Sequence, residues 1–127
     1  MTLQDFKNSN PELFEYIDVE EGMGRLRNNK RIYSLVLSEF LKDTHIKQTL
    51  DLADADKIED ASKTAHAIKG ITANLSMKKA YNDILAIEQK LKYGEYAKDM
   101  LLTAVESVEK TKEYTKTLID SLESIEF

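Results

Sequence analysis

Residues 56–75 read DKIEDASKTAHAIKGITANL. Within them Ile58, Ala61, Ala65, Ile68, Thr72 and Leu75 recur at spacings of 3, 4, 3, 4 and 3, the rhythm of one face of an α-helix. A helix with one apolar stripe buries it against other elements, so this pattern points to an all-helical core. At about 100° per residue, His66 lies about 130° from the centre of that stripe and faces outward. Gly70 lies one turn further on the same side. Glycine inside a helix costs about 1 kcal/mol relative to alanine. The helix gains nothing from it, but a second molecule approaching the imidazole would, because a larger side chain would stand in its way.

The same rhythm extends in both directions. Tyr33, Val36, Leu37, Phe40, Leu41 and Thr44 mark a helix over about residues 30–52. Met77, Ala80, Ile84, Ile87 and Leu91 mark another, stopped by Gly94 as a left-handed C-terminal residue. Leu101, Ala104, Val108, Thr111, Thr115, Leu118, Leu122 and Ile125 mark a last helix over about residues 97–125, roughly 40 Å long at 1.5 Å per residue. Cap signals punctuate the chain: Thr2, Asn10 before Pro11, Asp18 with Glu21, Asp56 with Glu59, and Ser76. The expected fold is all-α, an antiparallel up-down four-helix bundle over about residues 30–125. One or two short N-terminal helices over about residues 2–28 would cover an end, with Leu13 and Ile17 in the core.

A chain of 127 residues fits one domain. With 18 Lys and Arg against 23 Asp and Glu, its net charge of −5 disfavours binding to nucleic acid or to an anionic membrane. The absence of cysteine removes thiolate catalysis and zinc–thiolate sites. No secretory signal or membrane span is recognisable, and a soluble cytoplasmic protein is expected. Against the acidic background, residues 61–80 hold Lys63, Lys69, Lys78 and Lys79 and no acid. That block is either a local positive field for an anionic partner or an ordinary solvated face.

Neutral imidazole is a nucleophile near physiological pH. An exposed histidine can take a phosphoryl group onto a ring nitrogen and hand it on, because the phosphoramidate bond breaks readily. Such a transfer requires in-line positioning and charge cancellation. Lys69, near the edge of the stripe, can bury its stem and swing its ammonium outward to offset the phosphoryl charge. The ring nitrogen that does not react needs an acceptor. Glu88 stands 12 residues beyond Ser76 and His66 stands 10 before it, so the two can reach one height on neighbouring helices. Glu88 is either that acceptor or a solvated surface glutamate. No nucleotide-binding glycine loop is present. Neither histidine has a glutamate three residues before it, as di-iron bundles require. His45 reads as a surface histidine, Asp54 and Asp56 as turn and cap residues, and Tyr93 and Tyr96 as closing a turn.

The segment AHAIKGITANL over residues 65–75 resembles the A-H-x-L-K-G-x-x-x-x-L signature of the histidine-containing phosphotransfer domain. Ile17–Gly22, the Ile32–Phe40 helix and the Ile87-Glu88 pair are similar to other parts of that family's pattern, so the resemblance spans about residues 17–94. Ser76 departs from it where glycine is common, and Ile71 where a small residue is frequent. Ile71 is expected to affect packing more than docking. The resemblance implies that His66 is the phospho-acceptor, Lys69 the charge partner, Gly70 the clearance for a docking receiver, and Glu88 a group that orients the imidazole. It implies response-regulator or hybrid-kinase receiver domains as partners. The chain would be a monomeric carrier without turnover of its own and without a cofactor or metal, the magnesium ion belonging to the receiver. Two alternatives are a phosphorylation-silent adaptor that binds receivers, and the phosphotransfer module of a chemotaxis-type kinase; the short chain without a linker counts against the second.

Overall fold

In the computed structural model, which covers residues 1–127, the fold is all-α. Three short helices, α1 (Leu3–Ser9), α2 (Pro11–Tyr16) and α3 (Val19–Arg25), precede five longer ones. These are α4 (Lys30–Lys42), α5 (His45–Asp54), α6 (Ile58–Asn74), α7 (Lys78–Lys92) and α8 (Lys98–Leu122). The N-terminal part thus holds three short helices rather than one or two. Helix α6 packs between α5 and α7, α7 packs on α8, and α8 returns against α4 and α5. A parallel bridge between Thr2 and Glu126 brings the chain ends together.

The apolar stripes account for this packing. Ala61, Ala65, Ile68 and Thr72 of α6, Ala80, Ile84, Ile87 and Leu91 of α7, and Leu101, Ala104, Val108, Leu118 and Leu122 of α8 are all buried. The alanines let the helix axes approach closely, and each large aliphatic residue contributes about 1.5–3 kcal/mol by leaving water. Buried hydroxyls bond to their own helices: Thr72 to Ile68 O, Thr111 to Ser107 O and Thr115 to Thr111 O. Leu13 and Ile17 lie in the core with Phe6, Val19 and Met23, so the short helices close the interior. Ile71 is half-buried and packs against the core's edge.

Two sequence expectations fail for definite reasons. The helix expected over residues 30–52 breaks at Asp43, whose backbone is extended at φ −67°, ψ 136°. Its carboxylate accepts from the His45 N–H at 2.9 Å, and its carbonyl, freed from the helical ladder, accepts from Lys112 Nζ at 2.5 Å. A short acidic side chain competing for nearby backbone donors is a known way to end a helix. Beyond the break the buried phase resets to Ile46, Thr49 and Ala53, leaving Thr44 exposed.

Asp56 and Ser76 do not cap the helices that follow them. They stand at φ 61° and 55°, in the left-handed region, and terminate the helices before them. Lys57 N–H bonds to Leu52 O and Asp56 N–H to Ala53 O; Met77 N–H bonds to Thr72 O and Ser76 N–H to Ala73 O. These are the paired bonds of a Schellman motif. Arg27 ends α3 and Gly94 ends α7 in the same way. The Ser76 carbonyl also accepts from the Asp18 N–H at 2.9 Å, fastening the α6–α7 turn to the start of α3. Close by, Lys78 and Arg25 hold the Glu21 carboxyl down at about 2.

Candidate functional site

The α6–α7 pair carries the site. The stripe of α6 faces inward, so His66 on the opposite side has a side chain 70% exposed. Seventeen helical residues in α6 and fifteen in α7, joined by the Leu75–Met77 turn, bring Glu88 to the level of His66. From the sequence, Glu88 is either a surface glutamate or the acceptor for the imidazole. Its side chain is only 1% exposed, and its Oε1 lies 3.0 Å from His66 Nδ1.

A buried carboxylate is costly unless paired, and cations surround this one. Lys69 Nζ is 2.6 Å from Oε2, and Lys92 Nζ is 3.1 Å from Oε1. Burial pushes the Glu88 carboxyl up, but Lys69, His66 and Lys92 together outweigh it and hold the group below its ordinary value. The resulting acceptor-only carboxylate favours the proton on Nδ1 and leaves the Nε2 lone pair directed away from Glu88.

Lys69 differs from its expected posture. Its side chain is 19% exposed and its ammonium turns inward to Glu88 instead of outward. The basic block of residues 61–80 also divides: Lys78 pairs with Glu21 and Asp18, and Lys79 with Asp83. It forms no single positive field. Lys92, missed in the sequence, joins the site from the neighbouring helix. Its spacing of four residues from Glu88 was the available signal.

Gly70 is exposed, and a Cβ built there meets no atom within 4 Å. At Gly22, by contrast, a Cβ would come within 2.9 Å of the Tyr33 hydroxyl. The missing side chain at Gly22 is used by the chain's own packing; the one at Gly70 leaves open space one turn from His66. Comparison with protein-family models, curated proteins and solved structures finds no match for this chain.

The remaining candidates lie elsewhere. His45 sits at the α4–α5 break with Nδ1 2.7 Å from Asp43 Oδ2. Tyr96 ties the α7–α8 connection to Asp54 at 2.6 Å, and Lys98 joins that carboxylate at 3.2 Å. Tyr93 is exposed and closes nothing. No three His, Cys, Asp or Glu side chains converge in a way that would hold a metal ion, and no helix is long and apolar enough to cross a membrane.

Proposed function

We propose that this chain is a phosphorelay carrier of the histidine-containing phosphotransfer type, with His66 as the residue that bears the phosphoryl group. The observation that carries the reading is an outward imidazole whose Nδ1 is held by a buried carboxylate from the next helix. The closed circuit of contacts among α4–α8 supports an antiparallel up-down four-helix bundle, with α4 and α5 acting as one broken helix.

The donor is an aspartyl phosphate on a receiver domain. The His66 Nε2 lone pair attacks phosphorus in line. The bond from phosphorus to the aspartyl oxygen breaks and the carboxylate leaves with the electron pair, while the N–P bond forms. The ring becomes a phospho-imidazolium that keeps its Nδ1 proton, and the Glu88 carboxylate at 3.0 Å offsets the new positive charge. Attack by a second receiver's aspartate reverses these bond changes. Magnesium and the opposing carboxylates belong to the receiver. In this chain Gly70 supplies the approach, and Lys69 contributes positive charge from its place on Glu88.

The test is incubation of the chain with receiver domains of the same cell, charged with labelled acetyl phosphate. Acid-labile, base-stable label is expected on the wild type and on His45→Gln, and none on His66→Gln. Label retained by His66→Gln overturns the site. A wild-type chain that binds charged receivers without acquiring label is instead a silent adaptor.

A further inference from the structure

We propose that the cleft beside His66, lined by Ser62, Lys63 and Lys92, is the seat of the phosphoryl group once the ring bears it: the two lysines hold its oxygens, and Lys92 leaves Glu88 to do so. The inference rests on the reading of His66 as phospho-acceptor, and it adds a binding site for the anion which that reaction creates.

Helix geometry gives the direction. Side chains of an α-helix lean toward its N-terminus, so each covers the turn before its own Cα. His66 therefore leans over Ser62 and Lys63, four and three residues earlier on α6. Lys92, one turn beyond Glu88 on α7, lines the same cleft from the other side. The space there, about 440 Å³, is ample for a phosphoryl group and its water.

The charges point the same way. Lys69 and Lys92 both face the single carboxylate of Glu88, so with a neutral ring one positive charge is in surplus. The two lysines are not held alike. Lys69 is 19% exposed and 2.6 Å from Oε2, whereas Lys92 is 54% exposed and 3.1 Å from Oε1. Lys92 is the one free to move. Lys63 is exposed and belongs to no ion pair. Glu59 is the one carboxylate lining the cleft, and it pairs with neither lysine.

Transfer places a dianionic group on Nε2 and makes the ring an imidazolium. The surplus ammonium of Lys92 then has a more highly charged partner than Glu88, and Lys63 approaches it from α6. The exchange breaks no covalent bond and moves no proton. It leaves Oε1 to the Nδ1–H alone, so that bond strengthens as the ring gains positive charge.

The experiment loads the full chain with potassium phosphoramidate, a small-molecule phosphoryl donor, in a His45→Gln background so that His66 alone takes the group. 31P NMR follows the pH midpoint at which the phosphoryl dianion gains a proton. Nearby cations hold that midpoint down, so Lys63→Met and Lys92→Met should each raise it by about half a pH unit. Lys63→Arg and Lys92→Arg should restore it, and Glu59→Gln should lower it. Lys63 does not contact Glu88, so its effect cannot pass through that carboxylate. Circular dichroism confirms that each variant is folded. A midpoint unmoved by either Met variant overturns the shared cleft, as does absence of loading at His66. Inorganic phosphate added to the unloaded chain should give no saturable shift of the Lys63 and Lys92 signals; saturable binding would make the cleft a site for the free ion and overturn the proposal. The phosphotransfer reading fails separately, by absence of label from charged receivers on a wild type whose chemically loaded ring shows the lysine-dependent midpoint.

Discussion

The protein's two histidines make nearly the same hydrogen bond. His45 places Nδ1 2.7 Å from a carboxylate oxygen of Asp43, and His66 places Nδ1 3.0 Å from one of Glu88. Their surroundings differ. Asp43 is two residues from His45, and its carboxylate, its carbonyl and the ring beside it serve to end α4 and begin α5. Glu88 is 22 residues from His66, comes from another helix, is buried and is shared with two lysines. The His45 ring is 36% exposed where the His66 ring is 70% exposed. An imidazole–carboxylate contact is therefore not in itself a site. The one that resembles a reaction centre is the one whose carboxylate has no local structural task.

His66→Gln should abolish phosphoryl labelling while His45→Gln leaves it intact. Equal loss in both would mean that the two rings are not functionally distinct.

Next in size is removal of the buried carboxylate. Glu88→Ala leaves the ammonium of the mostly buried Lys69 unpaired. Complete burial would cost about 3–5 kcal/mol; the partial exposure of both lysines reduces this to about 1–3 kcal/mol, read from urea unfolding. Loss of the carboxylate also changes the pH dependence of stability. The Glu88 carboxyl is depressed in the folded state, so its stabilisation is present above the ordinary carboxylate value and is lost as pH falls through the depressed one. Glu88→Gln should lose stability at neutral pH and flatten that part of the acid unfolding profile. An unaltered profile would show that the carboxylate is not a stabilising anion.

These contrasts also show what was legible in the sequence. The stripes on α6, α7 and α8 were readable because a period near 3.6 specifies which face is buried, and residues such as Ala65, Ile84 and Val108 keep to it. His66's outward direction followed from the same wheel. The break at Asp43 was not readable, since it depends on a carboxylate that can serve either a helix or a turn. Asp56 and Ser76 misled for a related reason: the residue types that cap a helix start also tolerate the left-handed conformation at a helix end. Glu88's burial was hidden because the stripe placed it only at an edge, and the cations that make burial tolerable come from two helices.

A smaller effect tests the ground around the rings. Gly70→Ala should stabilise the fold by up to about 1 kcal/mol, because its Cβ meets nothing within 4 Å, yet it should slow label uptake from a charged receiver. Gly22→Ala is the counterpart. Its Cβ would press on the Tyr33 hydroxyl at 2.9 Å, and overpacking there should cost about 1–3 kcal/mol. If Gly70→Ala left uptake unchanged, the clearing beside His66 would have no part in docking.

The smallest effect concerns how each carboxylate reaches its ring. Asp43 is delivered to His45 by chain proximity, whereas Glu88 is delivered to His66 by the α6–α7 turn. That turn hinges on Ser76 at φ 55°, a conformation costing an L-residue roughly 1–2 kcal/mol that glycine avoids. The Ser76 hydroxyl is buried with no partner at hydrogen-bonding geometry, and its hold on the Glu21 carboxyl is weaker than that of Lys78 or Arg25, so its removal costs little. The backbone bond from Asp18 N–H to the Ser76 carbonyl, which fastens the turn to the start of α3, is retained by glycine. Ser76→Gly should thus raise stability by about 1 kcal/mol, less than the full strain because glycine gains freedom in the unfolded chain. For a chain of this length the melting temperature should rise by roughly 3–5 °C. The His66 tautomer should not change. A destabilised variant, or one with an altered tautomer, would mean that the serine side chain itself sets the register of the two helices.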